Sequence, residues 1–116
     1  MPLINYPEMP RQKIWEGITG AIFHSDHATI GHIFIEEGTQ LPVHDHPQEQ
    51  WSHVIEGIFE FNLNGELIIL SEGMSVHIPS HLPHSGKALT ACKIIDCFVP
   101  PREDWKSLPF VDSDVY

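Results

Sequence analysis

The stretch IFEFNLNGELIIL, from Ile58 to Leu70, constrains this chain most. It is two short apolar runs hinged at Asn64-Gly65, the strongest short-range signal for two antiparallel strands joined by a tight turn. Similar runs stand on either side: ATIGHIFIEEGTQLP before it, then MSVHIP and ACKIIDCFVP. Most are separated by glycine or proline turns, such as Glu72-Gly73 and the segment from Pro79 to Pro83. Many short strands with almost no helical periodicity predict an all-β sandwich or barrel. One helix-like piece, PPREDWKSL, follows the last strand, where Pro100 and Pro101 stop it and a turn or two of helix is expected. Pro2 to Pro10 are expected to run extended along a sheet edge of this chain or of a partner subunit, within an edge segment over residues 1–20.

A length of 116 residues suits one domain, residues 1–116, with a modest core that needs no disulfides. A composition 41% hydrophobic and 19% charged is globular rather than disordered. No apolar run approaches the roughly 20 residues that span a bilayer. The opening MPLINYPEMPRQK does not read as a signal peptide, so a cytoplasmic location is the expectation. Cys92 and Cys97 share one expected strand, face opposite ways and cannot bridge each other; both read as small core residues. The net charge is −10 with histidine neutral, and Lys plus Arg number only six. That balance argues against nucleic acid and anionic membrane as partners, since both are held chiefly by clustered basic residues.

Nine histidines in so short a chain raise the expectation of metal binding. The sharpest cluster is GTQLPVHDHPQEQ, Gly38 to Gln50. In extended chain, side chains alternate with a period of two, so His44 and His46 point together. Glu49 then faces away and Gln50 is the better oxygen donor. His53, His77, His24 and His27 have no ligand partner at strand spacing and read as surface or core packing. His32 lies on a strand that either crosses the pocket mouth or turns away from it. An aspartate in the apolar strand KIIDCFV is a further signal. Burial raises a carboxyl's pKa and suits Asp96 to proton transfer, unless it caps a loop or pairs with Lys93 or Arg102.

The spacing is more specific than the histidine count. Gly38 is followed by five residues, His44, one residue, His46, three residues, Gln50, six residues and Gly57. Gly73 is then followed by five residues, Pro79, and later His84. This double pattern resembles the two cupin motifs and covers roughly residues 30–100. The resemblance implies a double-stranded β-helix, the jelly-roll barrel, with a divalent transition metal (Ni, Zn, Fe, Mn, Co or Cu) held by His44, His46, Gln50 and His84. Gln50 stands where the family most often has glutamate; an amide leaves the metal's full charge in place, making a better Lewis acid and a better anchor for an anion. His81 stands where the second motif usually has glycine, and reads as a pocket acid or base or as a rim residue.

The segment DCFVPPREDW, Asp96 to Trp105, together with the short length and Gln50, resembles the pectin-degradation cupins of the KdgF type. Those proteins open 4,5-unsaturated uronate monosaccharides to linear keto sugar acids. The resemblance implies a small anionic sugar acid as substrate, Asp96 as the acidic pocket residue and Phe98 two positions on along the same inward face. Trp51 and Phe59 either line the pocket or pack the core. It also implies a homodimer paired through barrel edges. The competing readings are a metal-dependent dioxygenase or other small-molecule cupin enzyme, and a small-ligand-binding cupin without turnover.

Overall fold

Alternation of apolar and polar residues produces ten strands in the computed structural model, which describes residues 2–111. In chain order they are β1 (Gln12–Trp15), β2 (Ile18–His24), β3 (Thr29–Ile35), β4 (Gln40–His44) and β5 (Glu49–Glu56), followed by β6 (Phe59–Leu63), β7 (Glu66–Leu70), β8 (Ser75–Ile78), β9 (His84–Ala88) and β10 (Cys92–Val99). They form two antiparallel sheets, a six-stranded one in the order β1-β2-β3-β10-β5-β8 and a four-stranded one in the order β4-β9-β6-β7. The sheets face each other as the expected jelly-roll barrel.

Inward positions recur every second residue. Ile33 and Ile35 on β3, Ile94 and Phe98 on β10, Val54 on β5 and Ile78 on β8 meet Phe59 and Phe61 on β6, Leu70 on β7 and Ala88 on β9. The expected hairpin is present: Asn64 and Gly65 both take positive φ, 50° and 99°, between β6 and β7. That is the twist a two-residue hairpin loop requires, and glycine adopts it without a Cβ clash. At Gly86 the need is different, because an added Cβ would run into the Phe59 ring.

The N-terminal segment departs from the extended path expected of it. A 3₁₀ turn at Tyr6–Glu8 interrupts the Pro2 to Pro10 stretch, and the sheet edge within residues 1–20 is β1. Tyr6 stacks on His32, ring centroids 4.0 Å apart, and this contact lies on the outer face of the large sheet. His32 therefore turns away from the pocket mouth. Cys92 is buried as expected, but Cys97 is half-buried on the outer face rather than in the core; both are free thiols. The helical turn after Pro101 is the 3₁₀ turn Glu103–Trp105, whose Trp105 folds back into the core. Among the described residues no helix is long and apolar enough to cross a membrane.

Candidate metal centre

A bulge directs the first ligand inward. In the β4–β9 ladder Leu41 opposes Gly86 and His44 opposes His84, so β4 carries one extra residue between them. The extra residue reverses the alternation: Val43 is left exposed while Leu41 and His44 line one pocket. His46 lies two residues beyond the end of β4, and its ring comes to the same place. His84 opens β9. The ring centroids are 4.2 Å apart for His44 and His84, 5.0 Å for His46 and His84, and 5.7 Å for His44 and His46.

The tautomers follow from hydrogen bonding. Nδ1 of His44 lies 2.8 Å from the Pro42 carbonyl oxygen, Nδ1 of His46 lies 2.9 Å from that of Gln48, and Nδ1 of His84 lies 2.8 Å from that of Leu82. A carbonyl only accepts, so each Nδ1 carries a hydrogen, and in the neutral ring the lone pair is left on Nε2. Burial pushes His84 down to about 4 and also lowers His46, so both are neutral at pH 7. One donor nitrogen from each ring lies within 4.8 Å of the others. Nε2 of His84 is buried without a hydrogen-bond partner, and Nε2 of His46 faces the Gln50 amide oxygen at 3.1 Å, lone pair against lone pair. An orphaned acceptor and an opposed pair of acceptors are what a bound cation would relieve. Three imidazole nitrogens and an amide oxygen are suitable donors for a divalent transition metal.

A polar chain runs from this cluster into the core. Gln50 Nε2 donates to Ser52 Oγ at 2.9 Å, and Ser52 Oγ donates to Asp96 Oδ1 at 2.5 Å. Asp96 thus pairs with neither Lys93 nor Arg102 and caps no loop. Its carboxyl is pushed up to about 6 by desolvation, against the opposing pull of the Ser52 hydrogen bond and the Arg102 charge. It keeps partial access to solvent through the pocket it lines.

Arg102 is a functional candidate that the strand pattern did not single out. Its backbone N–H donates to the fully buried Thr29 Oγ1 at 2.8 Å, and Asp104 accepts from its guanidinium at 3.0 and 2.9 Å. The guanidinium packs over the rings of Phe98 and Trp105, at 4.8 and 4.7 Å. Phe98, 1% exposed, stands between this cation and the His46 ring as an apolar wall. His44, Gln50, Phe59, His84, Asp96 and Arg102 all line one cavity of about 60 Å³.

The remaining expectations divide by face. Trp51 is outside the pocket, against His77 on the outer surface, where His77 also meets Glu49 at 2.8 Å. His53 bonds Ser75 on the same surface. His81 is an exposed rim residue at φ 62°, a conformation that explains why glycine suits this place; its ring lies 3.5 Å from Asp45.

A two-sheet barrel with a convergent histidine triad in its mouth defines a small jelly-roll protein with a candidate metal centre. The model of the cupin domain matches residues 31–98, and the chain belongs to that family. It is similar to an RmlC-like cupin from Shewanella frigidimarina NCIMB 400, with 27% identity, 90% of this chain and 96% of that chain covered, and a TM-score of 0.84. It is also similar to KdgF from Halomonas sp., with 31% identity, 84% and 92% covered, and a TM-score of 0.79. A salicylate 1,2-dioxygenase from Pseudoaminobacter salicylatoxidans, 18% identical over 75% of this chain and 28% of that one with a TM-score of 0.70, shares the fold alone. No curated protein sequence matches the chain.

Proposed function

We propose that this cupin opens 4,5-unsaturated uronate monosaccharides to linear keto sugar acids. The observation that carries the reading is the joint lining of one cavity by His44, His84, Gln50, Asp96 and Arg102. Ring opening of an unsaturated uronate needs a cation for its carboxylate, an acid–base group for two proton movements, and stabilisation of charge on oxygen. The motifs shared with KdgF-type proteins and the 31% identity to KdgF from Halomonas sp. point the same way.

His44, His46, His84 and Gln50 would hold a divalent transition metal, which supplies Lewis acidity and an anchor for substrate oxygen. Arg102 binds the substrate carboxylate. Its planar fork suits a carboxylate, and its packing between Phe98, Trp105 and Asp104 fixes its direction before substrate arrives. The reaction is an isomerisation. A proton leaves the anomeric hydroxyl as the bond from C1 to the ring oxygen breaks, and a proton is delivered to C4 as the resulting enol becomes a ketone at C5. Asp96, raised to about 6, is close to the pH at which one carboxyl both accepts and returns a proton. Phe98 supplies an apolar wall inside the pocket.

The test is optical. Unsaturated uronate monomer mixed with the metal-loaded protein should lose its ultraviolet double-bond absorbance, and a strong chelator should stop the decay. No decay with metal shown to be bound would rule out ring opening.

A further inference from the structure

We infer that Ser52 is a positioning residue for the metal centre: by donating its single hydroxyl hydrogen to Asp96 it offers Gln50 only a lone pair, and so turns the Gln50 amide oxygen toward the histidine nitrogens. Ser52 is fully buried on β5, directly opposite Asp96 on β10 and two residues beyond Gln50 on the same inward face. Its oxygen lies 2.5 Å from Asp96 Oδ1 and 2.9 Å from Gln50 Nε2.

Counting hydrogens decides the orientation. A hydroxyl has one hydrogen to donate. Once it points to Asp96, the only complementary partner on Gln50 is the NH₂ group, so the oxygen must face the other way, where it lies 3.1 Å from His46 Nε2. Left to His46 alone, the amide would turn over, because its NH₂ could then donate to the imidazole lone pair. Ser52, together with the Asp96 carboxyl that also draws on the Gln50 side chain, therefore holds Gln50 in the orientation that is poor without a cation and good with one. A neutral amide differs here from a carboxylate, whose two oxygens need no such selection. The inference rests on the metal site and not on the uronate reaction.

The experiment measures Ni²⁺ affinity by competition with a chromophoric chelator, for wild type, Ser52→Ala, Ser52→Cys, Gln50→Ala and the Gln50→Ala/Ser52→Ala double variant. Thermal unfolding in chelator checks that each is folded. Ser52→Ala is expected to weaken Ni²⁺ about 10- to 100-fold, the usual effect of losing a group that orients a ligand. Ser52→Cys, of similar volume but a weaker donor, weakens it in the same direction. In the Gln50→Ala background the Ser52→Ala change should do nothing more, because no amide remains to be turned. Unchanged affinity in both Ser52 variants would overturn the proposal. So would a Ser52→Ala loss of the same size with Gln50 absent, which would mark a general effect on the fold. Wild-type protein that binds no Ni²⁺ or other divalent metal overturns the metal site and this inference with it; uronate turnover enters neither result.

Discussion

Ser52 and Asp96 stand 44 residues apart in the chain and 2.5 Å apart in space, because β5 and β10 pair with these two residues directly opposed. The pairing ties a half-buried carboxyl to the ligand cluster through Gln50 and gives Asp96 a fixed direction in the cavity.

If Asp96 moves the protons, Asp96→Asn should reduce uronate turnover by about 10²- to 10⁴-fold, the range for losing a positioned acid–base group. Metal content should stay at the wild-type level, because Asp96 is not among the convergent donors and asparagine keeps an Oδ1 that can accept from Ser52. Parallel absorbance assays and metal analysis read both quantities. A rate close to wild type would remove Asp96 from the chemistry.

The same substitution has a stability signature. The Asp96 carboxyl rises from 3.8 to about 6 on folding, so the folded protein holds this proton more tightly than the unfolded chain. Its contribution to stability is therefore complete below about pH 4 and is lost as pH rises through about 6. With allowance for the solvent that reaches it through the pocket, the loss is on the order of 2 kcal/mol. Chelator-treated Asp96→Asn should then melt higher than wild type at pH 8, by an amount that shrinks toward pH 4. His84, lowered to about 4, has the opposite dependence, with stability present above its ordinary 6.5 and lost as pH falls through about 4. Both proteins carry His84, so it cancels in the comparison. An equal difference in melting temperature at the two pH values would contradict the assignment.

Arg102 is expected to act in binding. Arg102→Lys keeps the charge but loses the planar fork and the stacking over Phe98 and Trp105. Losing a charge-assisted hydrogen bond of about 1.5–3 kcal/mol corresponds to a KM increase of roughly tenfold or more, with a smaller change in kcat. Steady-state kinetics at varied uronate separates the two, and an unaltered KM would move the carboxylate site elsewhere.

Much of this site was legible before any coordinates. Strand alternation and Asn64-Gly65 give an all-β sandwich or barrel, and the resemblance of the glycine, histidine and proline spacing to the cupin motifs implies His44, His46, Gln50 and His84. Asp96 stands out because a charged residue interrupts an apolar strand. Three features were hidden for physical reasons. The β4 bulge that turns His44 inward depends on pairing with β9, which local alternation does not encode. Arg102 and Trp105 reach the pocket because the chain after β10 folds back over it, held at Thr29 by a contact 73 residues away in sequence. His32 and Trp51 face outward because of their register in the large sheet. Ser52 follows Gln50 by two residues on the same strand face, but a small buried serine carries no signal until its partner across the ladder is known.

The most direct test of the account is metal stoichiometry. Wild-type protein and His84→Ala are each loaded with Ni²⁺ or Zn²⁺, freed of excess ion and analysed for bound metal. One ion per chain in wild type, and little or none in folded His84→Ala, is the expected result, because removing His84 takes away the buried nitrogen that has no other partner. Wild-type protein that retains no metal, or a folded His84→Ala that retains a full equivalent, would contradict the assignment of the histidine cluster as a metal centre.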